Sequence, residues 1–535
     1  MLAPAPGVST RRGTKAGPRP FTFSARDRPV RAPGVRAQSV VVIVMMAIAK
    51  ETESNDSSLG WEKHATRELV RLAWPITVST ISYSVMTLVD TLLVGRLGAA
   101  ELAGVGLGGT AAFVFLCFSF GLLRGAKTLV AQAIGAGRRD QASAYLGAAV
   151  AWALVIGAIT VALGEIASTL VGRIAADAHA ARAASTYLGI RILGAPMALT
   201  YVALREVRYG QSDARTPMMA TVAANLVNIG LANLFIFGFH WGVAGAGWAT
   251  VIAHSVEMGV LVLVQSRDGW NVRNTRMAHL RAVWRIGMPT GLQFTLEVGA
   301  FAMLTGLLAH LGVLQAAGHQ IALQVNHFAF LPGFAIAEAA SVLAGQAVGA
   351  GRLELVKRVA RTALAATTAY TGACTVVLAL CAPFIVSGFT HDPALARVAV
   401  HLLWIAAVFQ MFDGANVVAR GVLRGAGDVR VPAVVGVVTS WAATPPLTLL
   451  LGYGLGLGAL GGWLGLTAEI VAATLILWWR LERGDWKGAA VLSHAEMKQA
   501  AAQLDAELEP SRTASSGLAQ VPTPAAVIVE AQPDL

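Results

Sequence analysis

The sequence predicts an all-α polytopic membrane protein: twelve transmembrane helices in two homologous six-helix bundles, related by a pseudo-twofold axis along the membrane normal. Three observations predict it. First, the 535-residue chain is 55% hydrophobic and only 13% charged, where a soluble domain carries about 25% charge, and its apolar residues come in membrane-length runs. Second, the chain repeats itself. Pro75 recurs as Pro289, 214 positions on, and at that offset Arg71 matches Arg285, Leu97-Gly98 matches Leu311-Gly312, and Gln132-Ala133-Ile134-Gly135-Ala136-Gly137-Arg138 matches Gln346-Ala347-Val348-Gly349-Ala350-Gly351-Arg352. At an offset of 215, Gly210, Asp213, Arg215, Pro217 and Trp248 match Gly425, Asp428, Arg430, Pro432 and Trp463. Third, basic residues gather in alternate loops. Six spans per half is an even number, so both halves enter the membrane from the same side and the axis runs along its normal.

Residues 1–67 form an N-terminal extension, rich at first in Arg, Pro, Ser and Ala. Its apolar run at 40–49 is too short to span. A basic region before a short apolar core resembles a signal or transit peptide. A disordered tail, or a true start at Met45 or Met46, are the competing readings. Spans are expected at 69–95, 102–130, 142–170, 182–204, 216–239 and 243–265, then at 282–309, 314–343, 357–386, 395–419, 431–452 and 456–479. The N-terminal bundle is thus 68–265, the linker 266–281, and the C-terminal bundle 282–484. The tail, 485–535, reads as largely disordered, with 492–508 able to form one amphipathic helix.

Loops after even-numbered spans hold most of the loop arginines, among them Arg138, Arg139, Arg215, Arg276, Arg352 and Arg430. By the positive-inside rule both termini are cytoplasmic. The net charge of +11 therefore orients the protein and does not signal nucleic acid. The 56 glycines fall mostly inside spans, where small residues let helices approach. Cys117, Cys374 and Cys381 lie in apolar stretches without a CxxC pair, which argues against disulfides and zinc. There is no phosphate-binding glycine loop, HExxH or serine-elbow motif, so neither ATP hydrolysis nor an intramembrane enzyme is expected. No cofactor is expected beyond a coupling ion.

Charged groups inside the bilayer are costly and mark ion or substrate pathways. Asp90 stands near the outer end of span 1, where a helix-end carboxylate near water is the plainer alternative. Glu297 lies twelve residues after Arg285, ~18 Å along the helix and near mid-membrane. Asp413 lies seven residues before Arg420, ~10 Å from the end of span 10. Gln293 flanks Glu297, and Gln410 and Asn416 flank Asp413, at spacings that share a helix face. Two acids among amide oxygens suit a shared proton or Na⁺. No Lys or Arg lies in the middle of spans 7, 8 or 10, which leaves a proton or a metal ion to neutralise the pair. Gln324 and Asn326, with His327, give span 8 a polar face, and Asn225 and Asn228 do the same for span 5. Together these amides are the expected substrate cavity. Arg124 and Glu338, 214 positions apart, are equivalent under the axis and are expected to pair across it. Two repeated halves with buried acids read as an ion-coupled secondary transporter.

These residues resemble a known family. Trp74-Pro75, the run Leu88-Val89-Asp90-Thr91-Leu92-Leu93-Val94-Gly95-Arg96, the repeated Gln-Ala-x-Gly-Ala-Gly-Arg, and the Asp-x-Arg-x-Pro turns at Asp213 and Asp428 are similar to the multidrug and toxic compound extrusion family, over 65–485. The resemblance is to its bacterial NorM-type branch. It implies that Glu297 and Asp413 form the cation site of the C-terminal half, with Asp90 in proton or drug coupling. It also implies antiport: Na⁺ or H⁺ in, organic cations and amphipathic compounds out. Some relatives carry an aspartate where Ala232 stands, so a two-aspartate proton site in the N-terminal half is not expected. A monomer in the inner membrane, in contact with lipid, is implied. The runner-up readings are a lipid-linked precursor or polysaccharide flippase and a non-transporting scaffold. The flippase is disfavoured because such proteins have basic cavities, while here the readable membrane charges are mainly acidic, Arg191 being the chief exception.

Overall fold

The computed structural model describes residues 59–499 except 174–176, 271 and 497. The extension before residue 59 and the tail beyond 499 lie outside the described residues, with the expectations attached to them. Everything regular among the described residues is helical. The first half contains α1 (Ala65–Gly95), α2 (Ala99–Gly135), α3 (Arg139–Val171), α4 (Ala178–Leu193), α5 (Ala195–Gly210), α6 (Arg215–Asn233) and α7 (Val243–Asp268). The second contains α8 (Met277–His310), α9 (Val313–Gly349), α10 (Leu353–Ser387), α11 (Pro393–Gly425), α12 (Arg430–Leu447) and α13 (Ala459–Arg483). Eleven helices among the described residues are long and apolar enough to cross a membrane, and the pair α4 and α5, bent by 49°, makes the twelfth span. The protein is a multi-pass membrane protein.

The repeat is written in the backbone. Gly137 and Gly351 close the turns after α2 and α9 at φ 73° and 74°. Ser212 and Gly427, one repeat apart, both take the left-handed region, at φ 64° and 89°. The fifth span of each half ends in a π-helical turn, at Leu234–Gly238 and Thr448–Gly454. The halves differ in span 4. Gly194 and Pro196 break span 4 into α4 and α5, because proline cannot donate to the helix ladder and starts a new first turn. The matching stretch Phe409-Gln410-Met411 runs straight through α11.

Glycine lets the halves touch. A Cβ on Gly121 would lie 2.5 Å from Gly291 Cα, and one on Gly125 would lie 2.7 Å from Gly287 N. The backbones of α2 and α8 therefore meet without intervening side chains, and Gly135 and Gly349 bring α2 and α9 together in the same way. This seam runs from the middle of α2, at Gly121, to its end at Gly135 beside the basic loop. The linker is fastened beneath it: Thr275 Oγ1 donates to Ala144 O at 3.1 Å, and Trp152 Nε1 to Leu280 O at 3.0 Å.

Both ends of the described chain fold back onto the seam. Trp61 Nε1 donates to Gln346 Oε1 at 2.8 Å, and Arg352 Nη2 to Glu62 Oε1 at 2.6 Å. A further helix, α14 at 487–496, follows α13 and is anchored by the fully buried Trp486. Ser493 Oγ donates to Gln132 Oε1 at 2.7 Å, and Arg285 forms a two-pronged ion pair with Glu496. The tail expected to be largely disordered from residue 485 is ordered through this helix, since its apolar side joins the core around Leu481 and Val348.

Candidate functional site

In the second half the acids do converge, but around a cation. Gln293 and Glu297 stand one turn apart on α8, and Gln293 Nε2 donates to Glu297 Oε1 at 2.8 Å. Both carboxylate oxygens of Glu297 accept from Arg420 Nη1, at 2.9 and 3.0 Å. Arg424 Nη2 donates to Gln293 Oε1 at 3.0 Å. A Cβ at Gly436 on α12 would collide with Glu297 Oε1 and Gln293 Nε2, so glycine is what admits the cluster. The expectation that no basic residue reaches the pair is corrected. Arg420 starts near the basic end of α11, but helix side chains lean toward the N-terminus, which carries the guanidinium back into the membrane.

Asp413 makes no ion pair among the described residues. It lies in the field of Arg420, Glu469 and Glu297. Glu469 on α13 is buried and accepts from Thr444 Oγ1 at 2.7 Å. The reading of the sequence passed it over, although an acid in an apolar span is the signal that singled out the others. Thr474 Oγ1 to Phe412 O (3.1 Å) and Trp478 Nε1 to Ala415 O (2.9 Å) lock α13 onto α11 on either side of Asp413. Beside it Asn416 is fully buried with neither its Oδ1 nor its Nδ2 hydrogen-bonded. Gln410 bonds Thr375 Oγ1 at 3.4 Å and leaves its Oε1 unpaired. Buried amides without partners are rare and costly. Arg424 reaches the cluster through Gln293, so three acids stand against two arginines. Among the described residues no group of three His, Cys, Asp or Glu side chains is placed to hold a metal ion, so amide and hydroxyl oxygens would have to complete any cation shell.

In the first half Asp90 is half-buried on α1 with Oδ1 unpaired, beside Asn228 and in the field of Arg191. Asn228 bonds Thr250 Oγ1 at 3.5 Å, and Asn225 bonds Ser82 Oγ at 2.7 Å. Gln324 is exposed, and Asn326 is half-buried with Oδ1 unpaired. Neither bonds the acids. His327 meets Ser84 of the other half at 3.1 Å. A second polar pair, His254 with Glu257 at 3.0 Å on α7, was not singled out from the sequence.

The expected Arg124–Glu338 pair is corrected in its partner. Glu338 is paired with Lys127, one turn along α2, whose Nζ also lies 3.6 Å from Glu206. Arg205 Nη2 completes the chain to Glu206 at 2.9 Å. Arg124 sits over the rings of Phe334 and Phe294, 5.2 and 5.8 Å from their centroids. The view that membrane charges are mainly acidic is corrected too: Lys127, Arg205, Arg208, Arg420 and Arg424 are all buried or half-buried.

A family model described as MatE matches residues 75–234 and 289–450, one stretch in each half. The chain is 32% identical over 446 residues to the probable multidrug resistance protein NorM of Pseudomonas putida, covering 78% of this chain and 95% of that one. It is 30% identical over 434 residues to the multidrug resistance protein MdtK of Pectobacterium atrosepticum, covering 77% and 94%. The fold matches the eukaryotic MATE transporter AtDTX14 with a TM-score of 0.75 at 20% identity, covering 82% of this chain and 99% of that one. It matches a MATE family transporter in an outward-facing conformation with a TM-score of 0.74 at 21% identity, covering 79% and 97%.

Proposed function

Because the chain belongs to the MatE family, we propose that it is a secondary active multidrug efflux transporter, driven by Na⁺ or H⁺ antiport through alternating access. Its substrates are small organic compounds, cationic or amphipathic. It works in the inner membrane with both termini cytoplasmic, as a monomer among lipids, without a cofactor and without catalysing a reaction.

One observation carries the coupling role: among the described residues Asp413 is without an ion-pair partner, beside the unbonded amide of Asn416. Glu297 is occupied by Arg420, so Asp413 is the acid that takes the incoming ion, with Glu469 and Glu297 adding to its field. Loading that acid removes one negative charge from the cluster and changes which arrangement of α8, α11 and α13 is lower in free energy. A ligand shifts an equilibrium only through such differential affinity. Asp90, in the other half, serves as a separate acid toward substrate or proton.

Reconstituted vesicles exporting ethidium under a sodium gradient alone, or a proton gradient alone, identify the ion. Asp413→Asn is expected to abolish export while the protein stays folded. Export at the wild-type rate would mean that the acids are structural, as the scaffold reading holds. The flippase reading gains from the basic residues between the halves, and lipid-linked substrate scrambled by vesicles that ignore ethidium would favour it.

A further inference from the structure

We propose that a narrow cleft between the halves is an anion site that takes the carboxylate or phosphate head of an amphiphilic substrate. This deepens the efflux reading by naming a substrate class, and rests on it. The cleft is lined by Arg124, Lys127 and Thr128 of α2, Thr290 of α8, Ser341 of α9 and Arg424 of α11. Its acid, Glu338, is engaged by Lys127. Glu206 is held between Lys127 and Arg205, and Glu297 by Arg420. Among the described residues no carboxylate forms an ion pair with Arg124 or Arg424. The Nε of Arg424 is buried without a partner, and Arg124 rests its charge on two phenyl rings.

The lining thus carries three cations, Arg124, Lys127 and Arg424, against the single carboxylate of Glu338, and Arg424 lies in the field of Arg124 and Arg420 as well as of Glu297 and Glu338. Like charges crowded inside a membrane protein are costly without a counterion. Arginine's planar fork matches carboxylate and phosphate oxygens, and the hydroxyls of Thr290 and Ser341 add donors. Arg124 is eleven residues from the end of α2, ~16 Å along the helix. Phe294, which Arg124 overlies, packs edge-on against Phe113 at 6.2 Å and offers an aromatic surface to the substrate's apolar body.

The test uses the full-length protein in lipid nanodiscs with two fluorescent probes, carboxyfluorescein as organic anion and ethidium as organic cation. Arg124→Gln and Arg424→Gln are each expected to weaken carboxyfluorescein binding about ten- to hundredfold, the loss expected for a hydrogen-bonded charge. Ethidium should bind these variants as well or better, because a repelling charge is gone; this also shows that they fold. Arg124→Lys should recover part of the loss. Displacement by dodecanoate or by dodecyl phosphate tells which head group is preferred; displacement by neither overturns the proposal. So do the absence of carboxyfluorescein binding in the wild type, wild-type binding by both glutamine variants, or equal loss of both probes. Ethidium export without carboxyfluorescein binding would sink this inference alone. Arginine-dependent anion binding without ethidium export would sink the efflux reading alone.

Discussion

Gln132 and Gln346, one repeat apart, each reach across the seam into the opposite half. Gln132 Nε2 donates to Gly425 O at 3.1 Å, and Gln346 Nε2 donates to Ser212 Oγ at 2.8 Å. Each amide oxygen is then taken by a terminal segment, from Ser493 in one case and Trp61 in the other. The two ends of the described chain thus hold the same pair of crossing bonds from either side.

Removing the chain beyond Gly484 should loosen the basic face. In a background with Cys117, Cys374 and Cys381 replaced by alanine, a cysteine at Ser341 should react with a thiol reagent supplied from that face about five- to tenfold faster after truncation. That is the yield of roughly 1 kcal/mol for a lost buried hydrogen bond. An unchanged rate would show that α14 rests on the seam without holding it.

Gly125→Ala should push in the same direction by a different route. Its Cβ would be driven into the backbone at Gly287, and overpacking typically costs about 1–3 kcal/mol. The closed arrangement should lose population by roughly five- to hundredfold, read by the same labelling. Slower labelling than in the parent would contradict this role for the seam.

Glu297→Gln should destabilise the protein in detergent by about 3–5 kcal/mol, because it strands Arg420 in a buried site. The double variant Glu297→Gln, Arg420→Gln should recover much of that stability in a denaturation experiment while remaining inactive in efflux. A double variant no more stable than the single one would mean that the pair does not hold α8 to α11.

Lys127→Met should be similarly costly, removing the ion-pair partner of Glu338 in buried surroundings and leaving Glu206 to Arg205 alone. Arg124→Gln should not be, since among the described residues Arg124 makes no ion pair and lies over two phenyl rings. Equal losses from the two substitutions would return Glu338 to the partner expected from the repeat symmetry.

The architecture was legible because a membrane makes hydropathy decisive and because the repeat fixes the relation of the halves. Pro75 and Pro289, or the two glycine-rich turns, needed no coordinates. The acids Glu297 and Asp413 were legible from the cost of charge in an apolar span. Their partners were not. Arg420 and Lys127 lie in stretches that look like helix ends, and only the direction and reach of their side chains bring them inward. Symmetry pointed to Arg124 for Glu338, yet symmetry relates backbones, and a lysine one turn away made the shorter approach. Glu469 is a plainer omission, since the same rule applied to Thr467-Ala468-Glu469-Ile470 would have found it. The order of the tail through 496 was hidden in its mixed composition, which does not reveal that Trp486 and Ser493 have a seam to dock on.

Arg205 and Arg420 hold the same place in the two repeats, but their neighbours differ. Arg205 is followed by Glu206, which neutralises it from the adjoining position on the chain, while Arg420 is followed by Gly421 and draws on Glu297 from another helix. One arginine carries its counterion wherever it goes. The other is neutral only while α8 and α11 keep their distance. At this one position, then, the first repeat fixes the arginine's counterion by sequence and the second makes it depend on the placing of another helix. Relative displacement of two helices in the second copy is a movement of charge, and an ion arriving at Asp413 is felt there as a change in mechanical balance.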